Sequence, residues 1–306
     1  MLLPRIIWQV FLIKDLDQFK LSASLPVGGA FFLLCGLMRI VRVETSSYAR
    51  RSGVIDRDGK VKAIKGKIFD DFDILTEELK GKLVAPLDPP AIYCVGLNYR
   101  QHAEETGARI KKHPVVFMKA PSAVVGPGEP IQIPTVMASR KVDFECELAV
   151  VVGRKAKNLS LENALDCVLG YTCANDVSAR DWQVEFGGGQ WCRGKTFDTF
   201  CPLGPAIVTP DEVGDPQNLR ISTIVNGQLM QTSSTGEMIF SVAELLVFLS
   251  GSTTLWPGTV VLTGTPHGVG MARNPPVWLR PGDNVVVEIE RVGRLENPVI
   301  EEKQIY

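Results

Sequence analysis

Residues 142–153 hold the most informative stretch of the chain, Val142-Asp143-Phe144-Glu145-Cys146-Glu147-Leu148-Ala149-Val150-Val151-Val152-Gly153. The apolar run that follows Glu147 predicts a strand buried on both faces. Because side chains alternate along a strand, Glu145 and Glu147 point to the same face. The stretch therefore predicts two neighbouring carboxylates on a buried strand.

Two carboxylates in that position repel each other and cost several kcal/mol unless a cation compensates them. Glu145 and Glu147 offer hard oxygen ligands, which favour magnesium, manganese or calcium over zinc. The alternative is a solvated strand end, where the pair would lie beside Arg140 or Lys141. The pair alone leaves both interpretations open.

A third acid stands at the end of the next predicted strand. The strand-like segment 168–173 ends just before Asp176, and Arg180 and Gln183 follow at positions i+4 and i+7. That spacing puts the three side chains on one helical face. A cation and an amide beside an acid suit an anionic ligand that bridges to a metal.

The rest of the chain predicts an α+β protein that is mostly β, because short β-branched runs recur without a regular alternation of strands and helices. Asn226-Gly227 predicts a hairpin turn, and Ser241 with Glu244 predicts a capping box that opens a helix over 241–249. Helical spacing also occurs over 72–83 and 159–169. The breaker run 86–90 indicates a boundary between a small N-terminal β-rich module, 38–85, and a catalytic domain, 86–306.

Composition excludes several classes of partner. The 306 residues carry a net charge of -1, which gives no electrostatic basis for binding nucleic acid. The seven cysteines form no CxxC pair, which argues against a disulfide framework or a zinc site. Reduced thiols indicate a reducing compartment, and we expect a cytoplasmic protein.

Residues 1–37 form an atypical extension. The uncharged run 21–37 contains Pro26, Gly28 and Gly29, so it reads poorly as a membrane span, and no cleavage site of the secretory type follows it. Met38 opens a strand-like segment, and we expect it to be the true start of the protein. A tethering or docking segment is the alternative.

Four blocks of the sequence, in family order, resemble signatures of the fumarylacetoacetate hydrolase superfamily. The blocks are 145–151, 175–181, 194–205 and 262–270. The resemblance covers about residues 38–306. Within the superfamily, the chain looks most like the domain proteins assigned as oxaloacetate tautomerases.

The resemblance implies a set of site residues. The implied metal ligands are Glu145, Glu147 and Asp176, the implied catalytic residues are His102, Glu105 and Lys195, and the implied substrate contacts are Arg180, Gln183 and Thr265. His102 and Glu105 are three residues apart and would meet on one face of a helical turn. The implied cofactor is Mg²⁺, with Mn²⁺ or Ca²⁺ as alternatives.

The implied fold is the mixed β-roll of the superfamily's C-terminal domain, normally a homodimer. The implied activity is that of a magnesium-dependent enzyme that acts on a small 2-oxo acid through a metal-stabilised enolate. Oxaloacetate keto–enol tautomerisation is the leading expectation. The alternatives are an acylpyruvate or fumarylpyruvate hydrolase, a 2-hydroxyhepta-2,4-diene-1,7-dioate isomerase and an oxaloacetate decarboxylase. A catalytically idle metal-binding protein is the alternative of another class.

Overall fold

The computed structural model describes residues 37–303, and the predictions for residues 1–36 lie outside this range. The predicted class, α+β and mostly β, is confirmed. The strands are β1 (Arg39–Glu44), β2 (Arg50–Ile55), β3 (Val61–Gly66), β4 (Phe72–Leu79), β5 (Lys82–Val84), β6 (Ile92–Gly96), β7 (Val115–Lys119), β8 (Val124–Val125), β9 (Ile131–Ile133), β10 (Val142–Asp143), β11 (Cys146–Val152), β12 (Val168–Asn175), β13 (Ser178–Ala179), β14 (Cys201–Val208), β15 (Arg220–Val225), β16 (Gln228–Ser234), β17 (Val260–Leu262), β18 (Asn284–Ile289) and β19 (Gly293–Glu301).

The larger sheet has the order β4-β3-β2-β1-β14-β12-β11-β17-β6-β7. Its middle strands β11, β12 and β17 are buried along their whole length, as the apolar run after Glu147 predicts. The first strands join this sheet, because β1 pairs with β14 as well as with β2 and β5. The division of the chain at residue 85 stays a prediction.

The smaller sheet has the order β16-β15-β18-β19-β9, and its strands β15, β18 and β19 contact β11, β12 and β14 of the larger sheet. Ile221 and Val287 from this sheet share one core with Cys146 and Leu148 of β11. The hairpin between β15 and β16 turns at Asn226-Gly227, as predicted. The two sheets therefore enclose one core between them. On the opposite face of β11, Ala149 and Val151 belong to a second core, and Glu147 lies at the beginning of that face.

The helices are short, and they are α1 (Arg100–Glu105), α2 (Cys192–Lys195), α3 (Pro210–Val213) and α4 (Val242–Ser250). Helix α4 begins with the predicted capping box, because Ser241 accepts from the Glu244 backbone N–H and Glu244 accepts from that of Ser241. Within 37–303, no helix is apolar and long enough to span a membrane.

Three helical predictions are wrong. Asp176 does not share a helical face with Arg180 and Gln183, because β13 lies between Asp176 and the helical turn Asp181–Glu185. The segment 72–83 forms β4 and β5, because β4 pairs along β3 and tertiary pairing overrides the helical preference of its residues. In the segment 159–169 a turn over 161–163 and a short 3₁₀ helix at Ala164–Cys167 form instead of an α-helix, before β12 begins at Val168. Its regularly spaced apolar residues belong to a connection that packs against α4, and they do not form an α-helix of their own.

Candidate active site

Glu145, Glu147 and Asp176 meet at one end of the β11–β12 pair. Antiparallel pairing sets Cys146 opposite Asn175, so Glu145 and Glu147 flank that pair and Asp176 follows directly after it. The Glu145 backbone N–H donates to Asn175 Oδ1 at 3.0 Å, which fixes the entry to β11. One carboxylate oxygen from each of the three acids lies within 4.8 Å of the others, and all three residues are buried.

Two buried cationic side chains form ion pairs with Glu145. Lys195 Nζ is 2.6 Å from Glu145 Oε2 and 2.8 Å from Asp176 Oδ2, and Arg180 Nη2 is 2.6 Å from Glu145 Oε1. Burial alone would raise the pKa of Glu145, but the positive charges of Arg180 and Lys195 overcome it and hold that pKa well below its ordinary value. Glu145 is therefore ionised and fully paired.

Glu147 forms no ion pair with either cation, and the charge of Lys195 offsets its burial only in part. Its Oε2 accepts only the Gly264 backbone N–H, at 2.6 Å. Burial, followed by the charges of Asp176 and Glu145, raises the pKa of Glu147 well above its ordinary value. Three converging buried carboxylates with one left unpaired fit a divalent cation with hard oxygen ligands, which would supply the missing positive charge.

Arg180 is held in place from several sides. Its Nε donates to Asp143 Oδ2 at 2.9 Å and its Nη1 donates to Gln183 Oε1 at 2.9 Å, in addition to the contact with Glu145. Asp143 also accepts from the backbone N–H groups of Gly270 and Met271. Asp143 was not among the predicted residues, although its position two residues before Glu145 placed it on the same face.

Lys119, at the end of β7, is a second buried residue that the sequence did not indicate. Its Nζ donates to the carbonyl oxygens of Val177, Lys195 and Phe200, and it lies 2.7 Å from Asp176 Oδ1. An ammonium group has three donors, so the three carbonyls use all of them. Asp176 Oδ1 thus receives a nearby charge but no hydrogen bond, and it remains open to a cation.

The predicted pair of His102 and Glu105 also meets. His102 Nδ1 is 2.7 Å from Glu105 Oε1, and Glu105 Oε2 accepts the Gly268 backbone N–H at 2.9 Å. Glu105 therefore links helix α1 to the loop that contains Thr265. Because Nδ1 contacts the carboxylate, Nε2 is the imidazole nitrogen left to face a ligand.

These groups surround one cavity of about 200 Å³. The polar residues that line it are His102, Thr106, Glu145, Glu147, Asp176, Arg180, Gln183, Lys195 and Thr265. Leu97, Phe117, Val184, Trp191 and Met271 are among the apolar residues that complete its wall. Of the nine predicted site residues, the structure brings eight to the cavity, and the ninth, Glu105, lies directly behind His102.

The family model for the fumarylacetoacetate hydrolase C-terminal domain matches residues 91–300. Oxaloacetate tautomerase of Xenopus laevis is 52% identical over 219 residues, which are 71% of this chain and 68% of that protein. A human oxaloacetate tautomerase is 48% identical over 212 residues, 69% of this chain and 67% of that protein.

Solved structures give the same grouping. A 2-hydroxyhepta-2,4-diene-1,7-dioate isomerase from Mycobacterium marinum is 37% identical, with a TM-score of 0.75 over 87% of this chain and all of that one. A fumarylacetoacetate hydrolase from Exiguobacterium antarcticum is 38% identical, with a TM-score of 0.78 over the same shares.

The prediction of a cytoplasmic location is wrong, because both tautomerases are named mitochondrial. The absence of a disulfide pattern indicates a reducing compartment but does not say which one. The matched family domain and the relatives at about 50% identity also show that this chain is an enzyme. The chain belongs to the fumarylacetoacetate hydrolase family.

Proposed function

We propose that this chain catalyses the keto–enol tautomerisation of oxaloacetate. The observation that carries the proposal is a single small cavity lined by three converging carboxylates, by Lys195 and by His102 with its carboxylate partner. The relatives named oxaloacetate tautomerase, at 48% and 52% identity, support the choice of substrate. The reaction needs a bound 2-oxo acid and one group that moves a proton.

Glu145, Glu147 and Asp176 are the proposed ligands of the cation, and Mg²⁺ is the proposed ion, with Mn²⁺ or Ca²⁺ as alternatives. The unpaired charge of Glu147 and the open Oδ1 of Asp176 support this assignment. When bound, the ion would polarise the 2-oxo group and carboxylate as a Lewis acid.

His102 is the proposed proton-transfer group. Glu105 accepts from Nδ1–H and thereby leaves Nε2 as the basic nitrogen on the cavity side. In ketonisation the enol oxygen loses its proton and the adjacent carbon gains one, with no water attacking. A positioned acid–base group of this kind contributes roughly 10²- to 10⁴-fold in rate.

Lys195 is the proposed stabiliser of negative charge on the substrate oxygen. Two of its three N–H donors go to Glu145 and Asp176, so the third is available to the ligand. Burial opposes its charge, but Asp176 and Glu145 prevail and raise the pKa of Lys195 above its ordinary value. Lys195 therefore acts as a cation and donor rather than as a base. Arg180, Gln183 and Thr265 are the proposed substrate contacts.

The test is ketonisation of enol-oxaloacetate by the purified full chain with Mg²⁺, and the loss of enol absorbance measures its rate. We expect acceleration over buffer, a loss of roughly 10² or more in His102→Gln, and full activity in Glu237→Gln, a matched change at an exposed glutamate. No acceleration over buffer by the unmodified chain would refute the proposal.

Isomerisation of a longer hydroxylated diene diacid is the second candidate. The apolar wall that includes Phe117, Trp191 and Met271 favours it, because a four-carbon diacid has little apolar surface to bury there. The relative from Mycobacterium marinum is named for this reaction. It uses the same proton transfer, so turnover of the diene diacid but not of enol-oxaloacetate by the same proteins would select it.

Two further assignments are proposals of the same kind. We expect mitochondrial targeting of the full-length protein, as in the named relatives, and subcellular fractionation checks it. A homodimer stays a prediction that sedimentation velocity checks. Tight Mg²⁺ binding without turnover of any 2-oxo acid would instead indicate a catalytically idle protein.

A further inference from the structure

Gln231 connects the smaller sheet to both the carboxylate strand and the loop of Thr265. It lies on β16, is 1% exposed, and forms four side-chain hydrogen bonds. Its Oε1 accepts from the Cys146 backbone N–H at 3.0 Å and from Thr223 Oγ1 at 2.7 Å. Its Nε2 donates to Thr265 Oγ1 at 2.9 Å and to the Pro266 carbonyl at 2.8 Å. Both ends of the amide are therefore fully used.

Two backbone partners fix the orientation of this amide. The Cys146 N–H can only donate and the Pro266 carbonyl can only accept, so exchanging the oxygen and nitrogen of Gln231 would oppose like groups at both ends. Nε2 must therefore face Thr265, and the Thr265 oxygen must act as an acceptor at that contact.

This contact determines where the proton of Thr265 can go. A threonine hydroxyl has one proton and two lone pairs, and the bond from Gln231 occupies a lone pair. The thiol of Cys146 is also close to this hydroxyl, but a thiol sulfur is only a weak hydrogen-bond acceptor. Since Thr265 lines the cavity, its O–H remains available to an anion there.

We propose that Gln231 is a positioning residue that makes Thr265 a hydrogen-bond donor toward the carboxylate of the bound 2-oxo acid. The inference rests on the proposed substrate class but not on turnover. The same amide holds the backbone between Glu145 and Glu147, so it sets the distance between the carboxylate strand and the donor hydroxyl.

The test is a double-mutant cycle on anion binding by the full chain. The probe is oxalate, a dianion that offers two oxygens to one cation, titrated by calorimetry at saturating Mg²⁺. We expect Thr265→Val to weaken binding by at least about tenfold, the loss of one hydrogen bond to a charged group. Gln231→Met should weaken it similarly, and the double variant should bind no more weakly than Thr265→Val alone.

Thr223→Val is the matched control, because it removes a hydrogen bond to the same amide while both backbone partners still fix its orientation. It should leave oxalate affinity unchanged. If Gln231→Met does not fold, Gln231→Glu keeps the size and enters the same cycle.

Additive losses of oxalate affinity would overturn the proposal, and they would reach about a hundredfold in the double variant. An unchanged affinity in Gln231→Met, or no oxalate binding by the unmodified chain, would also overturn it. Because binding is measured without turnover, an inactive protein that shows the expected cycle would refute the tautomerase assignment and leave this inference standing.

Discussion

Replacing Glu147 by glutamine should leave the metal-free protein as stable as before, or more stable, while removing its response to Mg²⁺. Glu147 is buried beside Asp176 and Glu145, and its side chain accepts only the Gly264 backbone N–H. The amide of glutamine keeps the shape and that hydrogen bond but removes the uncompensated charge. A ligand is therefore lost at no cost to the metal-free fold.

The size of the effect follows from linkage. Mg²⁺ at a hundred times its Kd stabilises the native protein by about 2.7 kcal/mol. For a chain of this size that corresponds to a rise in Tm of roughly 4–5 °C. A hundredfold loss of affinity in Glu147→Gln would reduce the gain in unfolding free energy at the same concentration to about 0.4 kcal/mol, or less than about 1 °C in Tm.

The pH dependence has a defined sign. The native pKa of Glu147 lies above its ordinary value of 4.5, so the native state holds a proton that the unfolded state releases first. The contribution of protonated Glu147 to the free energy of unfolding is fully present below pH 4.5. It is lost as the pH rises from there through the raised native pKa. This loss should occur in the metal-free unmodified protein and be absent from Glu147→Gln.

The assay is thermal unfolding of metal-free protein at pH 8, with and without Mg²⁺, and Glu237→Gln as the exposed control. A full Mg²⁺ response in Glu147→Gln would refute the metal assignment. A fall of more than about 1 kcal/mol in the unfolding free energy of the metal-free variant would refute the assignment of Glu147 as an uncompensated charge. Removing an uncompensated charge should leave that free energy unchanged or raise it.

Two further substitutions test how the surrounding charges are arranged. Glu145→Gln should destabilise the metal-free protein by about 3–5 kcal/mol, because it leaves Arg180 and Lys195 buried without their shared partner. Urea denaturation measures the free energy of unfolding, and a value equal to that of the unmodified protein would contradict this prediction. Lys119→Met should cost a similar ~3–5 kcal/mol, because three buried carbonyls lose their donor. Lys157→Met, at an exposed lysine, is its control, and equal effects of the two lysine variants would contradict the role of Lys119.

Local rules predicted the features that depend on neighbouring residues in the chain. Strand alternation predicted the shared face of Glu145 and Glu147, and three-residue spacing predicted the contact of His102 with its carboxylate partner. The capping box at Ser241 was predicted for the same reason, since its two partners are three residues apart. The segment 72–83 was predicted wrongly, because its strand conformation depends on pairing with β3 and not on its own residues.

The partners of Lys119 and Gln231 could not be read from the sequence. Lys119 contacts carbonyls that lie 58, 76 and 81 residues away, and Gln231 contacts a backbone amide 85 residues away. Neither residue type is unusual at the end of a strand or in a hairpin. Only the packing of separate segments reveals that each side chain has all its donors or acceptors occupied.

Glu145 and Glu147 show the same limit most clearly. Glu145 directly precedes β11 and Glu147 lies within it, and both reach the same site, yet the pKa of Glu145 is lowered and that of Glu147 is raised. The difference comes from Arg180 and Lys195, which lie beyond β12 in the chain. Both form ion pairs with Glu145, whereas Glu147 receives only the weaker effect of the Lys195 charge. The fold thus compensates one carboxylate with its own cations and leaves its neighbour for an ion from solution. The proposed metal dependence would therefore follow from where two cations lie in the folded protein, and a pair of glutamates in the sequence cannot specify it alone.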